Sequence, residues 1–458
     1  MDKFDLFSPL DYRYMDGALR KRAELFFSEN ARVSYQAKVE AALVKALYKQ
    51  GLCSKKIVNE VEKAARLVKA EDVYKEEAKI KHDVRALANV MRSKVSKEAK
   101  PFIHFSSTSY DIVDTASALR YKEAVLELVL PELKQLLKQW IKIALREKKT
   151  IQIGRTHGQH AEPITFGFAM SSYINRLGRT MASMEWTAKN LEGKFSGAVG
   201  AYNASSLLVK NPAKLEKDIM SELGLKTCMH STQVVEPETL MDLLHSTIEA
   251  FTVLANFADD MRHLQRTEIS EVAEAFAGKQ VGSSTMPHKR NPINFENVKS
   301  LWKQSMPRAI TFYMDGICEH QRDLTNSASA RFIPELFVSL LASSSRMDKI
   351  SANLVVDKKA MKRNFDFSKN MVVAEPLYIF LAKYGHDDAH EVVRQLTLKS
   401  QETGKDVLEL AKASTVLEPF MKQITKKEME LLEKPESYTG LAVKKTEEVC
   451  AYWKKRFK

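Results

Sequence analysis

The most informative segment of this chain is Gly282-Ser283-Ser284-Thr285-Met286-Pro287-His288-Lys289-Arg290-Asn291-Pro292. It lies between two long segments of helical periodicity, and Gly282, Pro287 and Pro292 disfavour helix within it, so we predict a loop. The loop carries three hydroxyls, an imidazole, two cations and a carboxamide. A plain connector needs no such set of side chains. We interpret the stretch as a mobile loop that closes over an anionic substrate and carries a nucleophile or a base.

On both sides of this loop, apolar side chains recur every three or four residues, which predicts helices. Only 16 of the 458 residues are Gly and 13 are Pro, and so few chain breakers favour long uninterrupted elements. Five long helices are predicted, at 111–147, 163–194, about 235–266, 292–318 and about 331–353. Pro131 predicts a kink or a one-turn break in the first of them.

Shorter elements are predicted around this helical centre. Residues 31–50 and 55–70 predict helices, and Ser8–Tyr14 predicts a loop. We therefore predict an all-α protein with three domains. These are a mainly helical N-terminal domain at 1–110, an elongated bundle of long helices at 111–356 with the loop at 278–292, and a small helical domain at 357–458.

The composition argues against several classes of protein. The four cysteines are widely scattered and show no metal-binding spacing, so neither a zinc site nor a disulfide framework is predicted. The N-terminal residues lack the cationic and apolar regions of a signal peptide, and the chain has no run of about 18 apolar residues. We expect a cytoplasmic protein with no membrane partner.

The formal net charge of +13 allows three interpretations. It is compatible with nucleic-acid binding, with a basic surface that has no specific partner, and with an enzyme whose substrates are polyanions. Because lysines alternate with glutamates over much of the chain rather than forming one basic stripe, a basic surface is favoured over nucleic-acid binding.

Four polar clusters interrupt the helical pattern at predicted helix ends or loops. They are His82-Asp83-Val84-Arg85, His104-Phe105-Ser106-Ser107-Thr108-Ser109-Tyr110-Asp111, Gly154-Arg155-Thr156-His157-Gly158-Gln159-His160-Ala161-Glu162-Pro163, and the segment Gln321–Arg331. Each has an ordinary structural alternative, such as a surface ion pair, a helix N-cap, a turn or a solvated loop. Together they supply groups that bind anions and move protons.

The second and fourth clusters favour anion binding. One helix cap needs one residue, whereas five consecutive hydroxyl residues at a helix start are typical of an anion site. In the fourth cluster Arg322 and Arg331 flank hydroxyl and amide side chains, a set that suits phosphate or carboxylate. In the third, His157 and His160 could share a helical face, but the Gly and Pro residues predict a turn and no third ligand follows, so no metal is predicted.

Gly282–Pro292 resembles the signature loop of the fumarase/aspartase superfamily, G-S-S-x-M-P-x-K-x-N-P, at every specified position. Thr156-His157 and Thr108-Ser109-Tyr110-Asp111 resemble two further superfamily segments in the same order. Within the superfamily the chain most resembles the adenylosuccinate lyase family. That closer resemblance rests on His82-Asp83, His104, Phe295-Glu296-Asn297, Arg322-Asp323 with Ser327 and Arg331, and the opening Ser8–Tyr14. Two positions depart from the family, with Tyr12 where a small residue is common and Asn370 where Gly is frequent.

The resemblance implies a fold and an assembly. It implies a three-domain fumarase/aspartase-type fold in which the central helices of four identical subunits form a twenty-helix core. It also implies active sites shared among three subunits, a nucleotide substrate, no metal or organic cofactor and no nucleic-acid partner.

The implied reaction eliminates fumarate from adenylosuccinate, giving AMP, and from SAICAR, giving AICAR. By resemblance Ser283 is the base, and Lys289 and Asn291 stabilise the carbanion. His157 is the general acid, since imidazole titrates near neutral pH. Glu296 orients His157, and His82 contacts the phosphate or assists proton transfer.

The resemblance also implies the substrate-binding residues. Thr108, Ser109 and Gln233 are expected to hold the succinyl carboxylates, and the phosphate and ribose are expected at Arg13, Tyr14, Arg322, Ser327 and Arg331. Asp83, His104 and Met286 complete the expected set. One alternative is another lyase of the superfamily, such as argininosuccinate lyase or aspartase, whose substrates carry no phosphate. Another is a non-catalytic relative or a nucleic-acid binder, which the combination of proton-transfer residues disfavours.

Overall fold

The computed structural model describes residues 8–15, 17–275, 285–286 and 288–458. Within these residues helices dominate, and the predicted all-α fold is confirmed. Ser283 lies outside the described residues, as does most of the first half of the loop at 278–292. The part of this loop that is described, 285–286 and 288–292, is not helical. No helix in the described part of the chain is long and apolar enough to cross a bilayer.

Five helices precede the first long one. They are α1 (Gly17–Phe27), α2 (Glu29–Lys49), α3 (Lys55–Leu67), α4 (Ala70–Ile80) and α5 (Asp83–Arg92). The helices predicted at 31–50 and 55–70 are confirmed by α2 and α3. The predicted N-terminal loop contains one 3₁₀ turn, Pro9–Asp11, which Pro9 favours because its φ is fixed.

The first long helix is interrupted where Pro131 predicts it. α6 (Ser109–Ala124) continues into five residues of π-helix, Val125–Val129, and then into α7 (Leu130–Arg146). Proline has no N–H to donate and its ring crowds the preceding turn, so the wider π-turn accommodates it without ending the helix. The helical pitch changes locally, and α6 and α7 remain one continuous helical element.

The segment predicted as a turn before the second long helix is a β-hairpin, a correction to the sequence-based prediction. β1 (Ile151–Thr156) pairs antiparallel with β2 (Gln159–Thr165), and α8 (Phe166–Lys189) follows. The helix therefore begins three residues after the predicted position 163. His157 and Gly158 both have positive φ, as two-residue hairpin turns of type I′ require.

The remaining strands are only two residues long. β3 (Glu192–Gly193) pairs parallel with β4 (Lys226–Thr227), and β5 (Val272–Ala273) pairs antiparallel with β6 (Val355–Val356). Two short helices, α9 (Asn203–Ser206) and α10 (Pro212–Leu223), lie between β3 and β4 in the chain.

The helix predicted at 292–318 is two helices, the second correction. α11 (Glu238–Leu264) confirms the third long helix, whereas α12 (Ile293–Ser305) and α13 (Pro307–Met314) are separated at Met306. Pro307 causes the break because it cannot donate the next helical hydrogen bond. α14 (Ile333–Ala352) confirms the fifth prediction and follows a short 3₁₀ helix, Ser329–Phe332.

Seven helices form the C-terminal part. They are α15 (Lys358–Val372), α16 (Ala374–Lys383), α17 (Ala389–Thr403), α18 (Val407–Lys412), α19 (Glu418–Met421), α20 (Lys426–Glu433) and α21 (Ala442–Arg456). Asn370, at a position where the family often has Gly, holds α15 to the next helices. Its side chain donates to Ser400 Oγ at 3.1 Å and accepts from the N–H of Val407 at 2.7 Å.

The described residues divide into two compact units. The first comprises 8–134, 179–255 and 298–346, and the second comprises 135–178, 256–297 and 347–458. In the first, Phe337 stacks between Phe27 and Tyr121. In the second, Trp140 stacks on Phe257 with ring centroids 4.5 Å apart. The predicted boundaries at 110 and 356 stay a prediction.

A fully buried ion pair fixes the start of α6 in the first unit. Lys194 Nζ pairs with Asp111 Oδ1, and both side chains are completely buried. The same carboxylate accepts hydrogen bonds from the N–H groups of Thr108, Ser196 and Gly197 at 2.8–3.2 Å. One buried charge thereby joins the first turn of α6 to the segment after β3.

We expect Lys194→Met to destabilise the protein by about 3–5 kcal/mol, because it leaves Asp111 as a buried charge without its cation. The measurement is the urea unfolding midpoint at fixed protein concentration. Lys189→Met is the control, since Lys189 pairs with Glu185 on the exposed surface of α8 and such a pair contributes at most about 1 kcal/mol. Equal shifts in the two variants would contradict the importance of the buried pair.

Candidate active site

The N-terminus of α6 presents the hydroxyl cluster expected to bind carboxylate. Thr108 precedes the helix and Ser109 begins it, and both side chains are half-buried. Asp111 caps the turn by accepting from the N–H of Thr108. The Thr108 side chain in turn accepts the N–H of Asp111, so the two residues form a capping box. The anion-binding role expected for Thr108 and Ser109 stays a prediction.

His104 is held by a buried carboxylate that the sequence did not single out. Glu40, in the middle of α2, has a fully buried side chain. Its Oε1 lies 2.8 Å from His104 Nδ1, and its Oε2 accepts the N–H of His104 at 2.8 Å. This clamp holds His104 in a left-handed backbone conformation, with φ of 61°.

Arg322 joins the fourth cluster to the second. Its guanidinium carbon lies 3.6 Å from the centroid of the Tyr110 ring, and its Nη1 donates to Gln233 Oε1 at 2.8 Å. Gln233 donates in turn to the carbonyl of Ala198 at 3.1 Å. These three side chains therefore have fixed positions relative to one another, as a stacked and hydrogen-bonded guanidinium requires.

A cavity of about 460 Å³ opens beside this group. Its lining includes Tyr110, Asp114, Arg322 and Ser327. The volume lies in the range of small-molecule sites. The first unit thus places an arginine and hydroxyl side chains around a space of the size of a small-molecule site.

His82 and Asp83 lie at the start of α5, and Asp83 approaches the fourth cluster. His82 accepts the N–H of Arg85 at its Nδ1, at 3.3 Å, so it serves as the N-cap of α5. Asp83 Oδ2 lies 3.9 Å from Nη2 of Arg331. Both His82 and Arg331 are exposed. Arg13 is exposed and Tyr14 is half-buried, and both follow the first 3₁₀ turn.

His157 occupies the tip of the β1–β2 hairpin in the second unit and is exposed. Strand β1 of the hairpin is anchored by Glu271, whose side chain is fully buried. Glu271 accepts from Arg155 Nη2 at 2.6 Å, Gln152 Nε2 at 2.8 Å and Asn364 Nδ2 at 2.9 Å. Arg155, whose ion pair with Glu271 is buried, therefore lies two residues before His157 in the chain.

Glu274 anchors the far end of the signature loop. Its carboxylate accepts from the N–H groups of Asn294 and Phe295 at 2.9 and 2.8 Å and from Asn294 Nδ2 at 2.7 Å. It thereby caps α12, the helix that carries Glu296. Burial raises the pKa of Glu274 above its usual range, although these hydrogen bonds act to lower it.

Met286 and Lys289 of the loop and Glu296 of α12 are exposed, and Asn291 of the loop is half-buried. The first unit therefore brings together Tyr110, Gln233 and Arg322, and places Asp83 near Arg331. His157, Lys289, Asn291 and Glu296 belong to the second unit, and Ser283 lies outside the described residues. The roles expected for these residues stay predictions.

Five supporting residues were missed: Glu40, Asp114, Lys194, Glu271 and Glu274. Some left a trace in the sequence. Glu40 is an acid inside the apolar run Val39–Val44, and Glu271 and Glu274 flank Val272-Ala273. An acid embedded among apolar residues is buried only when it has partners, but the sequence does not name them.

The described residues contain no group of three or more His, Cys, Asp or Glu side chains arranged to hold a metal ion. The expected absence of metal and organic cofactors stays a prediction.

Two known protein families match successive parts of the chain. The family described as Lyase matches residues 16–306, and the one described as Adenylosuccinate lyase C-terminal matches residues 318–439. The adenylosuccinate lyase of Pyrococcus abyssi is 38% identical over 452 residues, 97% of each chain. That of Methanocaldococcus jannaschii is 35% identical over 449 residues, 96% of this chain and 95% of the other.

Solved structures show the same fold. A fumarate lyase from Mesorhizobium sp. BNC1 superposes with a TM-score of 0.82 at 21% identity, covering 96% of this chain and 98% of the other. A 3-carboxy-cis,cis-muconate lactonizing enzyme from Pseudomonas putida superposes with a TM-score of 0.81 at 24% identity, over 97% and 98%. Fold and sequence together define a lyase of the fumarase/aspartase superfamily. Within it, the chain belongs to the adenylosuccinate lyase family.

We expect Asp114→Asn to change how stability depends on pH. Burial raises the pKa of Asp114 to about 6, against a hydrogen bond from the N–H of Val235, whereas an unfolded Asp titrates near about 3.9. Between these values the folded state binds the proton more tightly, so this group's contribution to stability falls as pH rises. The thermal midpoint of the parent should therefore fall relative to that of the variant from pH 4 to 6.

Asp323 provides a control of opposite sign. Hydrogen bonds from Thr325 and from the N–H of Glu319 lower the pKa of Asp323, so its contribution to stability is lost as pH falls. Relative to Asp323→Asn, the parent should gain stability as pH rises. A pH-independent difference between the parent and Asp114→Asn would contradict the raised pKa.

Proposed function

We propose that this chain eliminates fumarate from adenylosuccinate, giving AMP, and from SAICAR, giving AICAR. The observation that carries the proposal is the fixed group of Tyr110, Gln233 and Arg322 beside the cavity of about 460 Å³. Both substrates carry a phosphate and two succinyl carboxylates, and arginine with hydroxyl and amide donors suits such anions. The adenylosuccinate lyase names of the full-length relatives support the same substrate class.

The fourth cluster favours a phosphate-bearing substrate. Arg331 is exposed, and the Oδ2 of Asp83 lies 3.9 Å from its Nη2, so this long, solvent-exposed ion pair can give way to a phosphate that binds the guanidinium more strongly. Ser327 is exposed on the same segment and lines the cavity. We assign the phosphate and ribose to Arg322, Ser327 and Arg331, with Arg13 and Tyr14, and the carboxylates to Thr108, Ser109 and Gln233.

In the proposed reaction Ser283 removes a proton from the carbon beside a succinyl carboxylate. Lys289 and Asn291 stabilise the negative charge that this carbon and its carboxylate acquire. The carbon–nitrogen bond then breaks, its electron pair stays on nitrogen, and His157 donates a proton to that nitrogen. Glu296 orients His157, and His82 assists at the phosphate or in proton transfer.

We further propose that four subunits assemble and that each active site uses residues of three of them. Exposed apolar side chains on and after α13 support an assembly surface, since a folded monomer rarely exposes so many together; they are Ile310, Tyr313, Met314, Ile317 and Leu324. The exposed tip position of His157 supports its donation to a neighbouring subunit. A cytoplasmic location and the division at 1–110, 111–356 and 357–458 are proposed with this assembly.

A substrate panel tests the function. We expect fumarate release, followed by absorbance, from adenylosuccinate and SAICAR but not from argininosuccinate or aspartate. Arg322→Lys should raise KM for adenylosuccinate by about tenfold or more, because lysine cannot both stack on Tyr110 and donate to Gln233 as the planar fork does. Arg308→Lys is the matched control, since Arg308 also packs on an aromatic ring, Phe332, and pairs with a side chain, Glu335. Release from argininosuccinate alone would contradict the proposal.

Hybrid tetramers test the shared sites. Ser283→Ala and His157→Gln should each cut turnover by orders of magnitude, because each removes one proton-transfer group. Mixed subunits of the two variants should recover a measurable part of the activity, since some sites then receive both intact residues. Mixing His157→Gln with His157→Ala is the control and should recover none. Verified hybrids without recovery would count against shared sites.

A further inference from the structure

The buried carboxylate of Glu271 connects three parts of the second unit. Its three donors come from β1 and α15, at Gln152, Arg155 and Asn364. Its backbone N–H donates to the carbonyl of Leu264 at 2.9 Å, at the end of α11. Its own carbonyl accepts the N–H of Asp357 at 2.9 Å, just before α15. The residue is therefore fixed from both its side chain and its backbone.

The hairpin has a second anchor on the same helix. His160 Nδ1 lies 2.6 Å from Ser368 Oγ, one turn of α15 after Asn364. Gly154 allows the strands to approach closely, because a Cβ there would lie 2.8 Å from the carbonyl oxygen of Glu162. With the strands close and both anchored on α15, the two-residue turn has little freedom to move relative to the helix.

Arg155 is the member of this network nearest to His157. Its register partner across the hairpin is His160, and the next pair, Thr156 and Gln159, closes on the turn. If Arg155 lost its buried partner, an arginine with only 17% of its side chain exposed would have to move toward water. Such a movement would displace the strand that ends at His157.

We infer that Glu271 is a positioning residue for His157: its ion pair with Arg155 fixes the hairpin tip at the place where the general acid must meet the leaving nitrogen. This inference rests on the proposed role of His157 as general acid. Proton transfer demands a donor within about 3 Å of its acceptor, and a displacement of about 1 Å at a reacting group can reduce the rate by as much as about 100-fold.

A double-mutant cycle distinguishes positioning from general stabilisation. We expect Glu271→Gln to lower kcat for adenylosuccinate by about 10- to 100-fold, with KM within about threefold of the parent. In a His157→Gln background the same change should lower kcat by less than about twofold, because no acid remains to be positioned. Thermal midpoints and assembly states of all four proteins are measured alongside.

Asp260→Asn is the matched control. Asp260 lies in the same unit, on α11, and its side chain accepts from Tyr173 and Asn256, which lie on α8 and α11 rather than on the hairpin. It should change kcat by the same small factor in both backgrounds. If Glu271→Gln does not fold, Arg155→Lys tests the same pair, since it keeps the charge but loses the planar fork.

The outcomes separate two hypotheses. Equal losses from Glu271→Gln in the parent and His157→Gln backgrounds would overturn the inference, as would kcat within twofold of the parent. Near-parent turnover of His157→Gln itself would instead overturn the role of His157 in the proposed function. A loss in the parent background that disappears in the His157→Gln background supports Glu271 as a positioning residue.

Discussion

The buried ion pair between Asp111 and Lys194 is the interaction on which the candidate site of the first unit depends. The Asp111 carboxylate fixes the N–H groups of Ser196 and Gly197. The next residue, Ala198, accepts from Gln233, which holds Arg322, which stacks on Tyr110, the neighbour of Asp111 in α6. These contacts form a closed chain around the start of α6. A buried Asp without Lys194 would be too costly to keep, and without Asp111 the segment that holds Gln233 would lose two of its backbone hydrogen bonds, those of Ser196 and Gly197.

The second unit uses the same physical device at two further places. Glu271 fixes the hairpin of His157, and Glu274 fixes the helix of Glu296. In each case a buried carboxylate accepts several hydrogen bonds. These hydrogen bonds hold an irregular segment in one conformation, as backbone hydrogen bonds do within a regular helix. The residues with proposed catalytic or binding roles lie on loops, turns and helix ends. Buried acids make these segments rigid without adding secondary structure.

Helices were predictable from the sequence because their periodicity is local, and Pro131 marked the π-turn because its effect is local too. The break at Pro307 was equally local and was overlooked. The hairpin at 151–165 was not predicted because its polar residues mask strand alternation and its Gly and Pro residues suggest an isolated turn. The anchors could not be assigned from sequence: Glu40 meets His104 64 residues away and Glu271 meets Arg155 116 residues away. Local periodicity identifies helices. The hydrogen-bond partners of a buried acid are distant in sequence, and only the folded structure brings them to it.

The exposed position of His157 has a consequence for the proposed mechanism. A carbanion beside a carboxylate is stabilised by Lys289 and Asn291 only where water is excluded, because water would screen their charge and dipole. Within one chain His157 and Lys289 are both exposed, so in the proposed assembly a neighbouring subunit would have to supply the surface that excludes water. Under that proposal, catalysis by these groups depends on assembly. The proposed sharing of sites also gives the rigid hairpin a role, since the chain that carries His157 would have to present it in a fixed position to a substrate held mainly by a neighbouring subunit.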